Sequence, residues 1–287
     1  MDIITNIIGG LANASLLFLV AAGFTQILGL MKIINAAQTS FYLIGAYVGI
    51  TLIGRGIEFW LSALLSAVAV GILGSIIYHL FLRKNRMDHV TTLFVTIGFS
   101  IILGDGSLAI WGGDPRTVAA PHILEGSVSI LGNVVPIYWV ALILIGALVA
   151  IVLFIIERHS VIGAIVRAGV DDGEMVSGLG ININRLFLIV FGFGSALAGL
   201  AGLLGGPIAG AYPGLDLELI PLAFTVVILG GMGSLMGALV GSIIIGIVNN
   251  LGIAFFPQLA YFTIFGPVVI ILALKPEGLF GRRERIV

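Results

Sequence analysis

Residues 167–207 read RAGVDDGEMVSGLGININRLFLIVFGFGSALAGLAGLLGGP and join two kinds of sequence. The first part is polar and places three acidic residues within positions 171–174. The second part is an apolar run of about 20 residues, the length at which an α-helix crosses a hydrocarbon core of roughly 30 Å. This stretch predicts a fold in which membrane-crossing helices alternate with polar connections.

The composition supports the same interpretation along the whole chain. Hydrophobic residues make up 59% and charged residues 9%, whereas a soluble domain carries about 25% charged residues. We therefore predict an all-α polytopic membrane protein, with residues 1–287 forming a single transmembrane domain. The 41 glycines predict close helix packing and broken helices.

Nine apolar segments are predicted to span the membrane, with eight or ten as alternatives. They are residues 7–30, 33–54, 58–82, 89–111, 134–156, 186–208, 217–234, 237–256 and 259–274. Polar residues or glycines interrupt the apolar sequence at 29–40 and 229–241, where we expect broken or re-entrant helices. Rows of small residues four positions apart predict faces on which neighbouring helices pack closely. One row is Gly233, Gly237 and Gly241, and the other is Gly194, Ala198 and Gly202.

The basic residues predict the orientation, because they concentrate on the cytoplasmic side of membrane proteins. With nine alternating spans, one side receives Arg83, Lys84, Arg86, Arg158, Arg167, Arg185, Lys275, Arg282, Arg283 and Arg285. The opposite loops receive Glu58, Asp114, Glu125, Asp216 and Glu218, with Arg55 and Arg116. The N-terminus is thus predicted outside, and the C-terminus and residues 158–185 are predicted in the cytoplasm.

Polar side chains inside predicted spans are functional candidates, since burying them in lipid is costly. Asp105 could contact a solute amine, carry a proton or cap a helix break. Asn35 and Gln38 could line a pathway or hydrogen-bond between helices. Asn249 and Asn250 lie in the eighth span.

Motifs of catalysis and cofactor binding are missing from the sequence. It has no G-x-x-x-x-G-K-[ST], H-E-x-x-H or G-x-S-x-G pattern and no cysteine, so we predict no ATP site, enzyme activity, metal or cofactor. The net charge of -1 indicates no nucleic-acid partner.

The polar segment 158–185 is too short for a domain, and we expect one or two short helices. Ile162, Ile165 and Val166 give one helix an apolar face. The acidic residues lie near the start of the next, where the helix dipole favours them, and glycines at 178 and 180 end it. Such a segment could dock a partner protein or serve only as a solvated connector.

The quoted stretch resembles the cytoplasmic loop of branched-chain amino-acid-type permeases of bacterial ABC importers, which reads R-A-x-x-x-D-x-E-A-A-x-x-x-G-I-N. The matching positions are Arg167, Ala168, Asp172, Glu174, Gly180, Ile181 and Asn182. The segments GLMKIINAAQTSFYLIGAYV, VVILGGMGSLMGALVGSIIIG and KPEGLFGR also resemble motifs of this family, in the family's order. The first contains Tyr42, which we add to the predicted pathway.

The resemblance implies a permease subunit of a bacterial inner membrane that carries a small amino acid or related polar solute. It also implies a second permease, identical or paralogous, two cytoplasmic ATPases, an extracytoplasmic solute-binding protein and surrounding lipid as partners. The residues expected to couple to the ATPases are Arg167, Asp171, Asp172, Glu174, Gly180 and Asn182. Ile34 and Gln38 depart from the family pattern, so the solute need not be leucine, isoleucine or valine. An ion- or proton-coupled transporter using Asp105 and a passive channel are the alternatives.

Overall fold

The computed structural model describes residues 3–84, 88–130, 132–171 and 173–281, and most of them are helical. The α-helices of these ranges are α1 (Ile3–Met31), α2 (Gln38–Gly54), α3 (Phe59–Ile77), α4 (His89–Trp111), α5 (Ile137–His159), α6 (Val161–Asp171), α7 (Gly173–Gly178), α8 (Ile183–Ala209), α9 (Leu215–Gly230), α10 (Leu235–Phe255) and α11 (Ala260–Leu274). A π-helical turn, Tyr78–Leu82, continues α3, and 3-10 turns lie at His122–Leu124 and Pro257–Leu259. Strands β1 (Ser127–Ile130) and β2 (Asn133–Pro136) form an antiparallel hairpin before α5.

Nine apolar helices of the described chain correspond in order to the nine predicted segments. By length and composition, six described helices could cross a membrane: α1, α3 with its π-helical continuation, α4, α5, α8 and α10. The helices α2, α9 and α11 are shorter, with 17, 16 and 15 residues. The all-α polytopic fold is confirmed, while the number of crossings stays a prediction.

Helix starts are fixed by side chains that accept hydrogen bonds from otherwise unpaired backbone N–H groups. Glu58 accepts from the N–H groups of residues 60 and 61 at the start of α3, and Asp88 accepts from Val90 at the start of α4. Asn182 caps α8, and Ser234 caps α10. These caps explain why the boundaries of the long helices agree with the sequence prediction within a few residues.

Both predicted helix interruptions are present, and the second packs on the last turns of α1, next to the first. Residues 32–37 separate α1 from α2, and residues 231–234 separate α9 from α10. The N–H of Gly233 donates to Thr25 Oγ1 of α1 at 3.0 Å, and the Cα of Gly233 packs directly on Gly29. Gly233 therefore lies in the break, with φ of 79°, and not on a helical row with Gly237 and Gly241 as the spacing predicted.

Helices α1 and α8 form the centre of the bundle. Within an apolar stretch of 18 residues in each helix, 72% of the stretch is buried in α1 and 67% in α8, but only 17% in α4. Glycine permits this packing, because Gly23 lies on Gly194 and Gly45 lies on Gly199 with backbone in direct contact. The row containing Gly194 and Gly202 is thus a helix-packing face, as predicted.

Segment 158–185 forms two short helices, where the sequence predicts one or two. Helix α6 has 11 residues and α7 has 6, ending at Gly178. Gly180 then adopts a left-handed conformation with φ of 82°, which glycine tolerates without strain, and α8 begins at Ile183. The segment packs mainly on α5, α8 and the end of α1.

Candidate functional site

Helix α4 is polar on its buried face and apolar on its outward face. Its buried residues are Thr92, Thr96, Ser100 and Ser107. Its exposed residues include Val90, Phe94, Ile97, Ile101, Ile102, Leu108 and Ile110. This pattern is expected in lipid, where polar groups need protein partners, and it places a row of hydroxyl groups against the first helix break.

Thr96 connects α4 to that break. Its Oγ1 lies 3.0 Å from the carbonyl oxygen of Ile34 and 3.3 Å from the backbone nitrogen of Ala36. Both residues belong to segment 32–37, whose backbone groups have no regular helix to pair with. The hydroxyl of Thr96 therefore satisfies backbone groups that the break exposes.

Asp216 is the buried carboxylate of this region. Ser40 Oγ donates to Asp216 Oδ2 at 2.8 Å, and Ser100 Oγ lies 2.8 Å from Ser40 Oγ. Ser100 is the twelfth of the 23 residues of α4, so these groups lie near the middle of a helix that is long enough to span a membrane. The starts of α2 and α9, which contain Ser40 and Asp216, consequently lie at this central depth.

Three further buried polar atoms near these groups have no hydrogen-bond partner within the described chain: Asn35 Oδ1, Thr39 Oγ1 and Tyr47 OH. Tyr47 also stacks on Trp111 of α4, with ring centroids 5.0 Å apart. A buried polar group without a partner is costly and calls for an explanation. We call the whole set the polar seam; it comprises Asn35, Thr39, Ser40 and Tyr47 beside or on α2, Thr96 and Ser100 on α4, and Asp216 on α9.

The predicted pathway residues Asn35 and Gln38 lie beside each other at one end of the polar seam. Asn35 Nδ2 donates to Gln38 Oε1 at 3.0 Å. Gln38 Nε2 lies 2.9 Å from the carbonyl oxygen of Gly194 and 3.3 Å from that of Val20. Gln38 thus joins the start of α2 to α8 and α1.

The other predicted pathway residues lie elsewhere. Tyr42 is buried against Gly205 of α8, and Asp105 is exposed on α4. Asn249 is half-buried, and Asn250 Nδ2 donates to the carbonyl oxygen of Asn6 at 2.6 Å, near the start of α1. The structure therefore gathers two of the six residues into one region.

Sequence reasoning missed Ser40, Thr96, Ser100 and Asp216. The hydroxyls of Thr92, Thr96 and Ser100 recur every four residues, which was a detectable signal of one polar helix face. Asp216 gave no such signal, because an acid before an apolar run is typical of an external loop. The structure corrects that assignment, since Asp216 lies in the first turn of α9 and is 2% exposed.

The predicted coupling residues lie around α6 and α7. Asn182 caps α8 and Gly180 forms the left-handed turn before it, while Arg167 lies on α6 with its Nη1 atom buried. Asp172 lies outside the described residues, and only the backbone of Asp171 and Glu174 is described.

Helix α6 contacts the end of α1 directly. A Cβ at Gly169 would lie 2.6 Å from Leu30 Cδ1, so the two helices are in van der Waals contact at this point. Val166 is buried in the apolar core that also contains Ile33 and Ala37 of the first break. We call Leu30, Ile33, Ala37, Val166 and Gly169 the coupling core. It joins segment 158–185 to the break.

The outer side of the same segment carries exposed apolar side chains. They are Val161, Ile162, Met175 and Leu179, each more than half exposed. Within the described residues, no group of three His, Asp or Glu could hold a metal ion.

Comparison with known proteins gives a consistent set of relatives. The family model for the branched-chain amino acid transport system permease component matches residues 6–274. The chain is 30% identical to the high-affinity branched-chain amino acid transport permease LivH of Salmonella typhimurium, over 96% of this chain and 94% of LivH. It is also 30% identical to BraD of Pseudomonas aeruginosa, over 97% of this chain and 95% of BraD.

A more distant relative has a different named cargo. The ribose import permease RbsC of Haemophilus influenzae is 27% identical over 98% of this chain and 87% of RbsC. No solved structure matches the chain.

Proposed function

Because the chain belongs to the family of branched-chain amino acid transport permease components, we propose that it moves a small amino acid or related polar solute across the inner membrane. It is a transmembrane permease of an ABC importer and not an enzyme. The named cargo of RbsC is ribose, so relatives of this chain serve chemically different solutes. The polar groups of this chain therefore select its solute.

The contact between α6 and α1 carries the proposed mechanism. ATPases bound to segment 158–185 would push on α6, and Gly169 passes that displacement to Leu30. One residue after Leu30, α1 ends at Met31, and the break that contains Asn35 and leads to Gln38 begins. A packed core transmits such a shift because it is dense and poorly compressible, so motion of α6 reaches the polar seam.

The polar seam is the proposed route of the solute. Little of α4 is buried, and its bonds to α2 and the break are made by hydroxyl groups. Each such bond contributes about 0.5–1.5 kcal/mol net, so α4 can separate from α2 more easily than the glycine-packed helices can separate. The partnerless atoms of Asn35, Thr39 and Tyr47 would then face the solute.

The charge of the polar seam favours a solute with an amino group. Asp216 supplies a negative charge that can pair with an ammonium group. The starts of α2 and α9 bring partial positive charge to the same depth, where it favours a carboxylate. An amino acid carries both groups, and a neutral sugar carries neither.

The outward position of Asp105 favours a second permease that packs on α4. It shares the outward face of α4 with Phe94, Ile101 and Leu108, at helical spacing. A carboxylate that faces lipid within a span is unfavourable. We therefore assign this face to the contact with a second permease or to water between the two permeases.

The proposed contacts for the ATPases and for the solute-binding protein lie at opposite ends of the bundle. The exposed apolar side chains Val161, Ile162 and Leu179 form the proposed ATPase contact on the cytoplasmic side. The β1–β2 hairpin and the 3-10 turn at His122–Leu124 lie at the opposite end of α5 and form the proposed contact for a solute-binding protein. This assignment places the N-terminus outside and the C-terminus in the cytoplasm.

Two measurements test the function. Uptake of labelled amino acids into cells should stop when the genes for the partner ATPases are deleted. Charge reversal of Glu174, a residue of the family motif, should reduce co-purification of the ATPases. Uptake that persists without the ATPases and disappears when the proton gradient is dissipated would instead support proton coupling, with Asp105 or Asp216 as carrier.

A further inference from the structure

A continuous groove follows the outer surface of α3 and α8. Its apolar part has a volume of about 430 Å³ and is lined by Ile72, Ser75, Ile76, His79, Leu80 and Leu188. Its polar part has a volume of about 520 Å³ and is lined by His79, Leu80, Arg83, Lys84 and Asn184. The two parts share His79 and Leu80, so they form one groove with a charged end and an apolar end.

Helical spacing explains this division. Ile72, Ile76 and Leu80 are four residues apart on α3 and its continuation, and Asn184 and Leu188 are four apart on α8, so each set follows one face. The π-helical turn Tyr78–Leu82 inserts an extra residue into the helical register. The cations beyond this turn thereby lie at the end of the groove where both helices approach the membrane surface.

We propose that this groove binds one anionic phospholipid. Arg83 and Lys84 hold the phosphate of the headgroup, with His79 and Asn184 as further hydrogen-bond donors. One acyl chain lies along Ile72, Ile76 and Leu188. The described lining of the groove contains two permanent cations and no carboxylate, which selects a negative headgroup over a zwitterionic one.

An anionic phospholipid also fits the side of the membrane on which the polar end of the groove lies. The polar end of the groove lies where α8 begins, next to segment 158–185, which is the cytoplasmic end under the proposed function. Anionic lipids of the cytoplasmic leaflet attract basic residues there, and each Lys or Arg near the surface contributes about 1 kcal/mol to the binding free energy. The lipid binding itself is measured without transport, so its failure is distinguishable from failure of the proposed function.

The groove also adjoins the coupling core. Tyr78 and Leu82, on the inner side of the π-helical turn, belong to the same apolar core as Val166 of α6. A bound lipid would pack on the outer side of this turn and restrict its movement. We therefore expect the occupied groove to stabilise the position of α6.

Native mass spectrometry of the purified complex tests the headgroup site. The complex should retain phosphatidylglycerol in preference to phosphatidylcholine, and Arg83→Gln with Lys84→Gln should weaken phosphatidylglycerol binding by about 25-fold. Arg158→Gln is the matched control, because Arg158 is an exposed cation outside the groove at the same end. Equal losses in both variants, or no preference in the native chain, would overturn the proposal.

A single cysteine tests the apolar part and its occupant. The chain has no cysteine, so a fluorophore on Ile76→Cys reports on that position alone. Brominated phosphatidylglycerol should quench it more strongly than brominated phosphatidylcholine, while Ile155→Cys, on the exposed side of α5, should respond equally to both lipids. Cross-linking of Ile76→Cys to another permease would assign the groove to a protein contact and reject the lipid site.

Discussion

Asp216 at the start of α9 accepts a hydrogen bond of 2.8 Å from Ser40 at the start of α2, 176 residues away in sequence. Ser100 extends this bond to the middle of α4. Three separate helices thus meet through polar groups near the middle of the length of α4, within a mainly apolar bundle.

Asp216→Asn should reduce uptake of labelled amino acid by about tenfold or more. A hydrogen bond to a charged group contributes about 1.5–3 kcal/mol, and 1.4 kcal/mol corresponds to a factor of ten. The substitution keeps the size of the side chain and removes its charge, so membrane insertion and assembly should persist. Uptake by cells with matched protein levels measures the effect.

The control for this prediction is Glu218→Gln. Glu218 lies in the same first turn but is exposed and bonded to Tyr212, so its loss should change uptake little. Equal activity of both variants would show that Asp216 is not part of the solute pathway.

Asp105→Leu should impair permease pairing or uptake. If the outward face of α4 met only lipid, this change would remove an unfavourable carboxylate and stabilise the protein. Ile101→Cys on the same face should also cross-link two permeases when the partner carries a matching cysteine. Ile155→Cys, similarly exposed on α5, should not cross-link; a stabilised and fully active Asp105→Leu variant would contradict the assignment.

Gly45→Ala should destabilise the protein by about 1–3 kcal/mol, the usual cost of overpacking a dense core. Its new Cβ would collide with the backbone of Gly199 on α8, which cannot move as a side chain can. Thermal unfolding in detergent measures the change. Gly54→Ala is the control, because apart from the adjoining backbone of α2 no atom lies within 4 Å of its Cβ position. An equal fall in both melting temperatures would argue against the close packing of α2 on α8.

Leu179→Asp should weaken ATPase binding by about tenfold or more. Full burial of a leucine side chain is worth about 1.5–3 kcal/mol, and Leu179 is 73% exposed in the permease alone. Affinity of the purified ATPases for the permease measures the loss. Ile123→Asp, at the opposite end of the bundle, should leave that affinity unchanged.

Single cysteines should establish the orientation in intact cells. Glu125→Cys, beside the β1–β2 hairpin, should react with an impermeant maleimide added outside. Leu179→Cys should react only after the membrane is opened. The reverse pattern would invert the proposed topology and move the ATPase contact to another surface.

The sequence by itself determined the fold class, the nine apolar helices and the pair of short helices in segment 158–185. These features depend on local properties, namely the length of apolar runs, capping residues and glycine. The positions of both helix breaks were predictable for the same reason, since polar residues and glycines mark them in the chain.

Only the tertiary structure decided which polar groups meet. Asp216 precedes an apolar run as an external residue would, yet the packing of α9 on α2 brings it to Ser40 and Ser100. Asp105, inside an apolar run, faces outward. The direction of a polar side chain in a bundle depends on how helices distant in sequence pack, and the apolar pattern carries little of that information because lipid-facing and buried surfaces are both apolar.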